Sequence, residues 1–224
     1  MVRDEGRDTD TETEMSIFAD ILVPEKRATF TSNMTGNWLA QLFGETATGN
    51  ASGVHVTPDT AWKWPIFYGC VDLISRGIGQ LPLQLYRWKE DDVREQARGH
   101  RVYNLIWRRP NHEQTAYVWR HAMQSWVLTW GNAYAEIERD KANRPVALWP
   151  LHPRHMIVTR DKATKRLIYE YRGDPEVKYL EYMDVLHIRT AGDGLVGLSP
   201  VKLFAQGIGL GIAAETAGAA LFKN

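Results

Sequence analysis

The chain has a single cysteine, Cys70, in 224 residues. That excludes an internal disulfide and any cysteine-based metal cluster, and one free thiol fits a reducing compartment. Cys70 lies among Phe67, Val71 and Ile74, so it is expected to be a small buried apolar residue. Net charge is also lacking: Lys and Arg total 27 and so do Asp and Glu, so bulk charge does not announce a nucleic-acid binder. The N-terminus is acidic and has no apolar h-region, so no secretory signal is expected. No G-x-x-x-x-G-K-[ST] loop is present to cradle a phosphate, and no G-x-S-x-G elbow to carry a nucleophile. The apolar stretch Leu203 to Phe222 is interrupted near its middle by Glu215, a carboxylate costing ~2.5–3.5 kcal/mol on membrane-insertion scales. It is therefore not expected to span a bilayer, although Gly207-x-x-x-Gly211 matches a helix-pairing spacing.

Zero net charge hides an asymmetry. Residues 1–15 carry six acids against Arg3 and Arg7, a net of −4, so the remainder carries +4. Much of that excess lies between Arg139 and Arg172, where nine Arg or Lys face Asp140, Asp161 and Glu170. A local excess of this kind suits a solvated face or contact with a polyanion.

Residues 1–56 read as a flexible N-terminal arm, charged and Thr-rich at first and Gly/Ala/Ser/Thr-rich from Gly44 to Gly53. Trp38, Leu39, Leu42 and Phe43 are expected to form one short amphipathic turn or helix within it. Order is expected to begin at Thr57-Pro58-Asp59, a hydroxyl cap followed by proline at the first helical position. Phe67, Cys70, Val71, Ile74 and Ile78 then follow helical spacing until Gly77, Gly79 and Pro82. A strand is expected over 81–88, then a charged hairpin or loop from Arg87 to His100. A short helix over Val102–Trp107 stops at Pro110. Thr115 caps the next helix, whose apolar face is expected to be Val118, Trp119, Ala122, Met123, Trp126, Val127 and Trp130. Gly131 ends it in the left-handed conformation. Strands are expected over 132–139, 145–151, 155–160, 166–171 and 184–188, with turns at Lys141–Asn143 and Arg172–Pro175. The fold class is therefore α+β, an antiparallel sheet packed with helices and followed by a long C-terminal helix over Pro200–Asn224. The domains expected are 1–56, 57–190 and 191–224.

Within that last helix Gly207, Gly211, Ala214 and Gly218 are spaced 4, 3 and 4 apart. They place small residues on one stripe, where another helix can approach closely. Each helical glycine costs ~1 kcal/mol in isolation, so packing against neighbours must offset it. The run Gly207-Ile208-Gly209-Leu210-Gly211 sits inside the helix, not before it, so its amides cannot cradle a phosphate. His152 and His155 are three apart, but Pro153 spoils helical geometry and no carboxylate completes a ligand set. His187 reads as a satisfied strand histidine. Glu136 and Glu138 share a strand face and are expected to meet basic cross-strand partners. No catalytic, cofactor or metal residue is assigned.

An ordered set of short motifs remains: Leu81-Pro82, Pro110-Asn111, Gly131-Asn132-Ala133-Tyr134, Leu148-Trp149-Pro150, Leu186-His187-Ile188-Arg189 and Gly197-Leu198-Ser199-Pro200. Their order and spacing, from about Thr57 to Asn224, resemble the portal proteins of tailed bacteriophages. The resemblance implies a non-enzymatic subunit of a dodecameric ring at a capsid vertex, without cofactor. Its partners would be further copies of itself, double-stranded DNA bound without sequence preference, the terminase large subunit, and capsid, scaffold and head-completion proteins. It places the protein in the virion, and in the host cytoplasm during assembly. It implies a wing-like domain over 57–190 and a stem-like helix to Asn224. The motif residues Leu81, Pro82, Pro110, Asn111, Gly131, Asn132, Tyr134, Pro150, His187, Gly197, Ser199 and Pro200 would then be architectural. Gly207, Gly211, Ala214 and Gly218 would be a subunit-packing stripe, and Gly211→Leu is expected to impair ring assembly. Portal subunits are longer, with a clip, a second stem helix and a C-terminal part. The chain is accordingly expected to be a truncated gene or a fragment, not a channel by itself. The alternative is a capsid-associated structural or adaptor protein without a DNA channel.

Overall fold

The computed structural model describes residues 52–89, 93–162 and 164–223. The apolar patch Trp38, Leu39, Leu42 and Phe43, and most of the expected arm, lie outside them. Order begins with a capping box: the Thr60 amide donates to the Thr57 hydroxyl (3.2 Å) and the Thr57 amide to the Thr60 hydroxyl (2.7 Å). Helix α1 (Pro58–Trp62) is short, because Pro65 restarts the chain as α2 (Pro65–Gln80). The inward face of α2 is made of Val71, Ser75 and Gly79. At Gly79 a Cβ would sit 3.2 Å from the Tyr117 ring, so glycine lets the two helices meet closely. Arg120 donates to the carbonyl of Gly79 through Nε (3.1 Å) and Nη2 (2.8 Å), and to that of Ile106 (3.0 Å). A guanidinium on carbonyls at the ends of α2 and of the helix over Arg101–Trp107 satisfies orphan acceptors and complements both helix dipoles. Cys70 corrects the expectation: it is exposed, because the face that packs inward is one position further on.

The strand expected from Leu81 forms only as β1 (Tyr86–Trp88), paired with β2 (Arg94–Gln96); residues 81–85 carry no strand. Arg94 lies over the Trp88 ring at 4.4 Å from its centroid. Helix α3 (Arg101–Trp107) leads through Pro110–Asn111 to α4 (Ala116–Trp130), where the Val118 amide donates to the Thr115 hydroxyl (3.3 Å). Trp119, Met123 and Val127, four residues apart, form the buried stripe of α4, whereas Val118, expected inside, is exposed.

Strand β3 (Asn132–Arg139) lies between β4 (Pro145–Leu151) and β8 (Val185–Arg189), antiparallel to both. A 3₁₀ turn at Pro153–His155 leads to a second antiparallel sheet, ordered β5 (Met156–Arg160), β6 (Leu167–Tyr171), β7 (Lys178–Glu181). Two three-stranded sheets thus replace the single sheet expected, and β7 was not anticipated. Alternation along β3 divides the core. Ala133 and Ala135 pack with Trp119, Met123 and Val127 of α4, while Tyr134 packs with Tyr169 and Tyr171 of the second sheet. The architecture is α+β.

The last segment is two helices, α5 (Pro200–Leu203) and α6 (Ala205–Leu221), not the single helix expected. The chain leaves helical geometry at Phe204 (φ −104°, ψ 20°). Val201 and Ile208 pack with Ala61, Trp64 and Phe67, fastening the start of this segment to α1 and the start of α2.

Candidate functional site

The sequence motifs converge on the corner where α4 turns into β3. Gly131 holds φ +79°, and a Cβ there would lie 2.2 Å from the Leu198 carbonyl oxygen and 2.8 Å from the Ser199 nitrogen. Only glycine fits both the backbone and the space. Asn132 follows and grips the segment that leads out of the sheet. Its Nδ2 donates to the Gly197 carbonyl (2.8 Å) and its Oδ1 accepts from the Gly197 amide (2.7 Å). Thr190 donates its amide to the Gly131 carbonyl (2.9 Å) and its hydroxyl to that of Leu198 (2.9 Å). The Ser199 hydroxyl donates to the Thr129 carbonyl (2.7 Å) and accepts from the Lys202 amide (3.3 Å), so one side chain ties α4 to the start of α5.

His187 completes the network. Its Nε2 lies 2.9 Å from Asn132 Oδ1 and its Nδ1 3.3 Å from the Tyr169 hydroxyl. The asparagine oxygen can only accept, so Nε2 carries the proton and Nδ1 accepts from the tyrosine. Burial, and secondarily the Arg189 charge, push the His187 pKa down to about 4, which keeps the ring neutral. Tyr134 stacks on it at 4.4 Å between ring centroids, and burial raises the Tyr134 phenol well above its ordinary range. A neutral histidine with both nitrogens engaged has no spare position for proton transfer.

Away from the corner, Asn111 accepts the amides of Glu113 (3.0 Å) and Gln114 (2.8 Å) and donates to the Leu148 carbonyl (2.9 Å). The Leu148 amide returns a bond to the Pro110 carbonyl (2.8 Å), so Pro110–Asn111 fastens the α3–α4 loop to β4. Pro150 lies opposite Ala135 in the β3–β4 register. Leu81 and Pro82 belong elsewhere, to the lining of an apolar groove of about 250 Å³ with Ile78, Leu83, Trp119 and Met123. Pro200 opens α5.

The histidine and carboxylate pairs are also accounted for. His152 accepts from the Arg154 amide (3.1 Å) and meets Trp126 and Trp130 edge-on, and burial and His155 lower its pKa. Glu136 approaches Lys178 at 3.8 Å, while Glu138 accepts from the Trp149 indole (2.6 Å) in place of a basic partner. Among the described residues no group of three His, Cys, Asp or Glu could hold a metal ion. Among them, too, no helix is long and apolar enough to cross a membrane.

The small-residue stripe is divided by the structure. At Gly211 a Cβ would lie 2.5 Å from the Trp64 ring of the same chain, whereas at Gly207 and Gly218 it would meet nothing within 4 Å. Ala214 is exposed. Sequence reasoning did not single out Thr129, Thr190 or Arg120, whose roles depend on backbone carbonyls distant in sequence.

Comparison with known proteins gives a consistent set. Residues 65–224 match the family described as phage portal protein. The portal protein of Enterobacteria phage HK97 is 30% identical over 167 residues, covering 74% of this chain and 38% of that protein. A chain in the solved neck of an empty gene transfer agent particle superposes with a TM-score of 0.64 at 22% identity, over 85% of this chain and 52% of that one. An HK97-family phage portal protein from Corynebacterium diphtheriae gives 0.53 at 14% identity, over 75% and 50%. The two solved structures speak to the fold. The chain spans 38% of the curated relative and about half of each solved chain.

Proposed function

The chain belongs to the phage portal protein family, and from that premise we propose that it is a subunit of a homo-oligomeric ring at the capsid vertex, a conduit for DNA during packaging and ejection. The observation that carries this reading is the family match across residues 65–224, which takes in every element from α2 to α6. The likeness to a particle neck chain supports the fold it requires. Residues 57–190 would be the wing and 191–224 the linker and stem-like helix. The corner at Gly131, Asn132, His187 and Gly197 then has an architectural task, fixing the direction in which the segment toward α5 and α6 leaves the wing. We assign no catalytic step.

The mechanism is physical. Duplex DNA carries a negative charge every ~1.7 Å, so tight phosphate contacts would hold it in place. A chain with no net charge, whose basic excess is confined to Arg139–Arg172, suits a passage that DNA slides through without sequence preference. The ring would dock the terminase large subunit during packaging and head-completion proteins afterwards, within capsid and scaffold. It would reside in the virion, after assembly in the host cytoplasm.

Native mass spectrometry and negative-stain images of a full-length subunit containing this sequence test this. Rings of about twelve subunits with a central hole are expected, by analogy with closed cyclic assemblies. A full-length subunit that stays monomeric at high concentration overturns the reading.

A further inference from the structure

Helix α2 is apolar on the wrong side for a helix that serves only its own subunit. Its inward face is the small set Val71, Ser75 and Gly79, while Ile66, Leu73, Ile74 and Ile78 are 64%, 73%, 49% and 41% exposed. Several large apolar side chains exposed along one helix form the kind of contiguous patch that marks an interaction site. Its residues are also ordered. Ile66, Cys70, Leu73 and Gly77 advance by 4, 3 and 4, and all four are exposed.

Helix α6 carries a seam of the same kind. Gly207, Leu210, Ala214, Ala217 and Leu221 advance by 3, 4, 3 and 4, and all five are exposed. Its intramolecular contacts come from another side, through Ile208, Gly211 and Ile212, roughly 130° around the helix. A repeat averaging 3.5 residues keeps one seam against a partner when two helices pack at about +20°, side chains of each entering gaps in the other. Both seams combine large residues with small ones. Leu73 and Leu210 are knobs, and at Gly77 and Gly207 a Cβ would meet nothing within 4 Å. Arg76 beside Gly77 is paired with Asp72 of its own helix but half-exposed, so its outer edge and Glu215 beside Ala214 put charged groups at the two rims.

We infer that the α2 seam of one subunit packs along the α6 seam of the next. The inference rests on the ring reading and specifies its contact. The two seams are different surfaces of one chain, so each joined pair leaves one seam of either kind free, and the contact propagates until the ring closes. A self-complementary α2–α2 contact would stop at a dimer. An interface takes about 800 Å² from each partner, so the seams form its apolar centre. Gly211, expected to belong to the contact, is already occupied by Trp64 of its own subunit.

Cys70, the chain's single cysteine, provides the test. Leu210→Cys is treated with a flexible bismaleimide whose reach spans the helix–helix distance of about 8–10 Å. A ladder of covalent oligomers beyond the dimer is expected, with none from the unmutated chain. Leu73→Glu changes a side chain that is mostly solvent-exposed, so circular dichroism is expected to be unchanged while the assembled fraction falls about tenfold. Rings that form without a Leu210→Cys ladder overturn the seam contact and leave the ring reading standing. Covalent dimers from the unmutated chain, or cross-links confined to monomers, overturn it as well. Absence of any oligomer overturns the seam contact alone where the full-length subunit still forms rings, and the ring reading together with it where that subunit stays monomeric.

Discussion

Asn132 shows how one side chain can decide a direction. Its amide group meets both polar groups of Gly197 and the His187 ring, at positions 65 and 55 residues away in sequence. Asn132→Ala would leave the Gly197 amide and carbonyl buried without partners, and a loss of about 2–4 kcal/mol in denaturant unfolding is expected. Gly131→Ala is expected to cost at least as much. The left-handed backbone alone adds ~1–2 kcal/mol for a residue with a Cβ, and here the Cβ meets backbone, which cannot rotate away. His187 carries a pH prediction. Its folded pKa, about 4, lies below the ordinary histidine value of about 6.5. Above pH 6.5 both states are neutral and its contribution is fully present. As pH falls from 6.5 towards 4 the unfolded chain takes up a proton that the folded chain refuses, so stability is lost across that window. Because the ring retains some contact with solvent, the loss is about 1–2 kcal/mol after allowance for screening. Unfolding free energies at pH 7 and 4.5 are expected to differ less in His187→Gln than in the unmutated chain, by that amount. An equal pH dependence in both would remove His187 as the cause.

At the scale of elements, the two ends of the small-residue stripe are expected to behave oppositely. Gly218→Ala adds a methyl group into open space and removes a helical glycine, so a stability gain of up to about 1 kcal/mol is expected in thermal melts. Gly211→Ala gains the same propensity but drives a methyl into the Trp64 ring, within the cluster that fastens α6 to α1 and α2, and a net loss is expected. A loss from both substitutions would mean that Gly218 is packed. Such contrasts also mark what could be read from sequence. Thr57, Thr115, Ser199 and Gly131 act on residues within a turn of themselves, so the ends of their helices were legible, as were the limits of β3 and β4. Cys70 was misplaced because α2 has apolar residues on nearly every side, and periodicity then names no unique inward face; Arg120 and Tyr117 on α4 choose it. The break at Phe204 has no proline or glycine to announce it. Strand β7 is four residues long and mostly exposed, with little hydrophobic pattern to detect, and the splitting into two sheets depends on the 3₁₀ turn after β4. The candidate corner was legible as a set of motifs, but not as a network, since its bonds join residues far apart in sequence.

At the scale of the whole molecule, two kinds of force serve two tasks, and salt separates them. The proposed subunit contact joins apolar seams, with charges only at the rims. Charges exposed at a rim are screened over about 10 Å at 0.1 M salt, whereas apolar burial does not weaken as salt is added. The proposed contact with DNA is the reverse case, resting on the excess of Arg and Lys between Arg139 and Arg172, several of whose side chains are committed to acids: Arg139 to Asp184, Arg144 to Asp140 and Arg172 to Glu170. The remaining Arg and Lys of that stretch are left for phosphate, and each contact made releases counterions whose cost rises with salt. Raising salt from about 50 to 200 mM is therefore expected to abolish retention of duplex DNA of any sequence while the assembled mass stays constant. Light scattering and a DNA filter-binding assay on one sample read both quantities. If the assembly dissolved along with the DNA, charge would be holding the subunits together, and the apolar seams would not be their interface. If DNA stayed bound while the ring persisted, the passage would be a tight site, and sliding through it would require a driving force greater than a weak electrostatic contact implies.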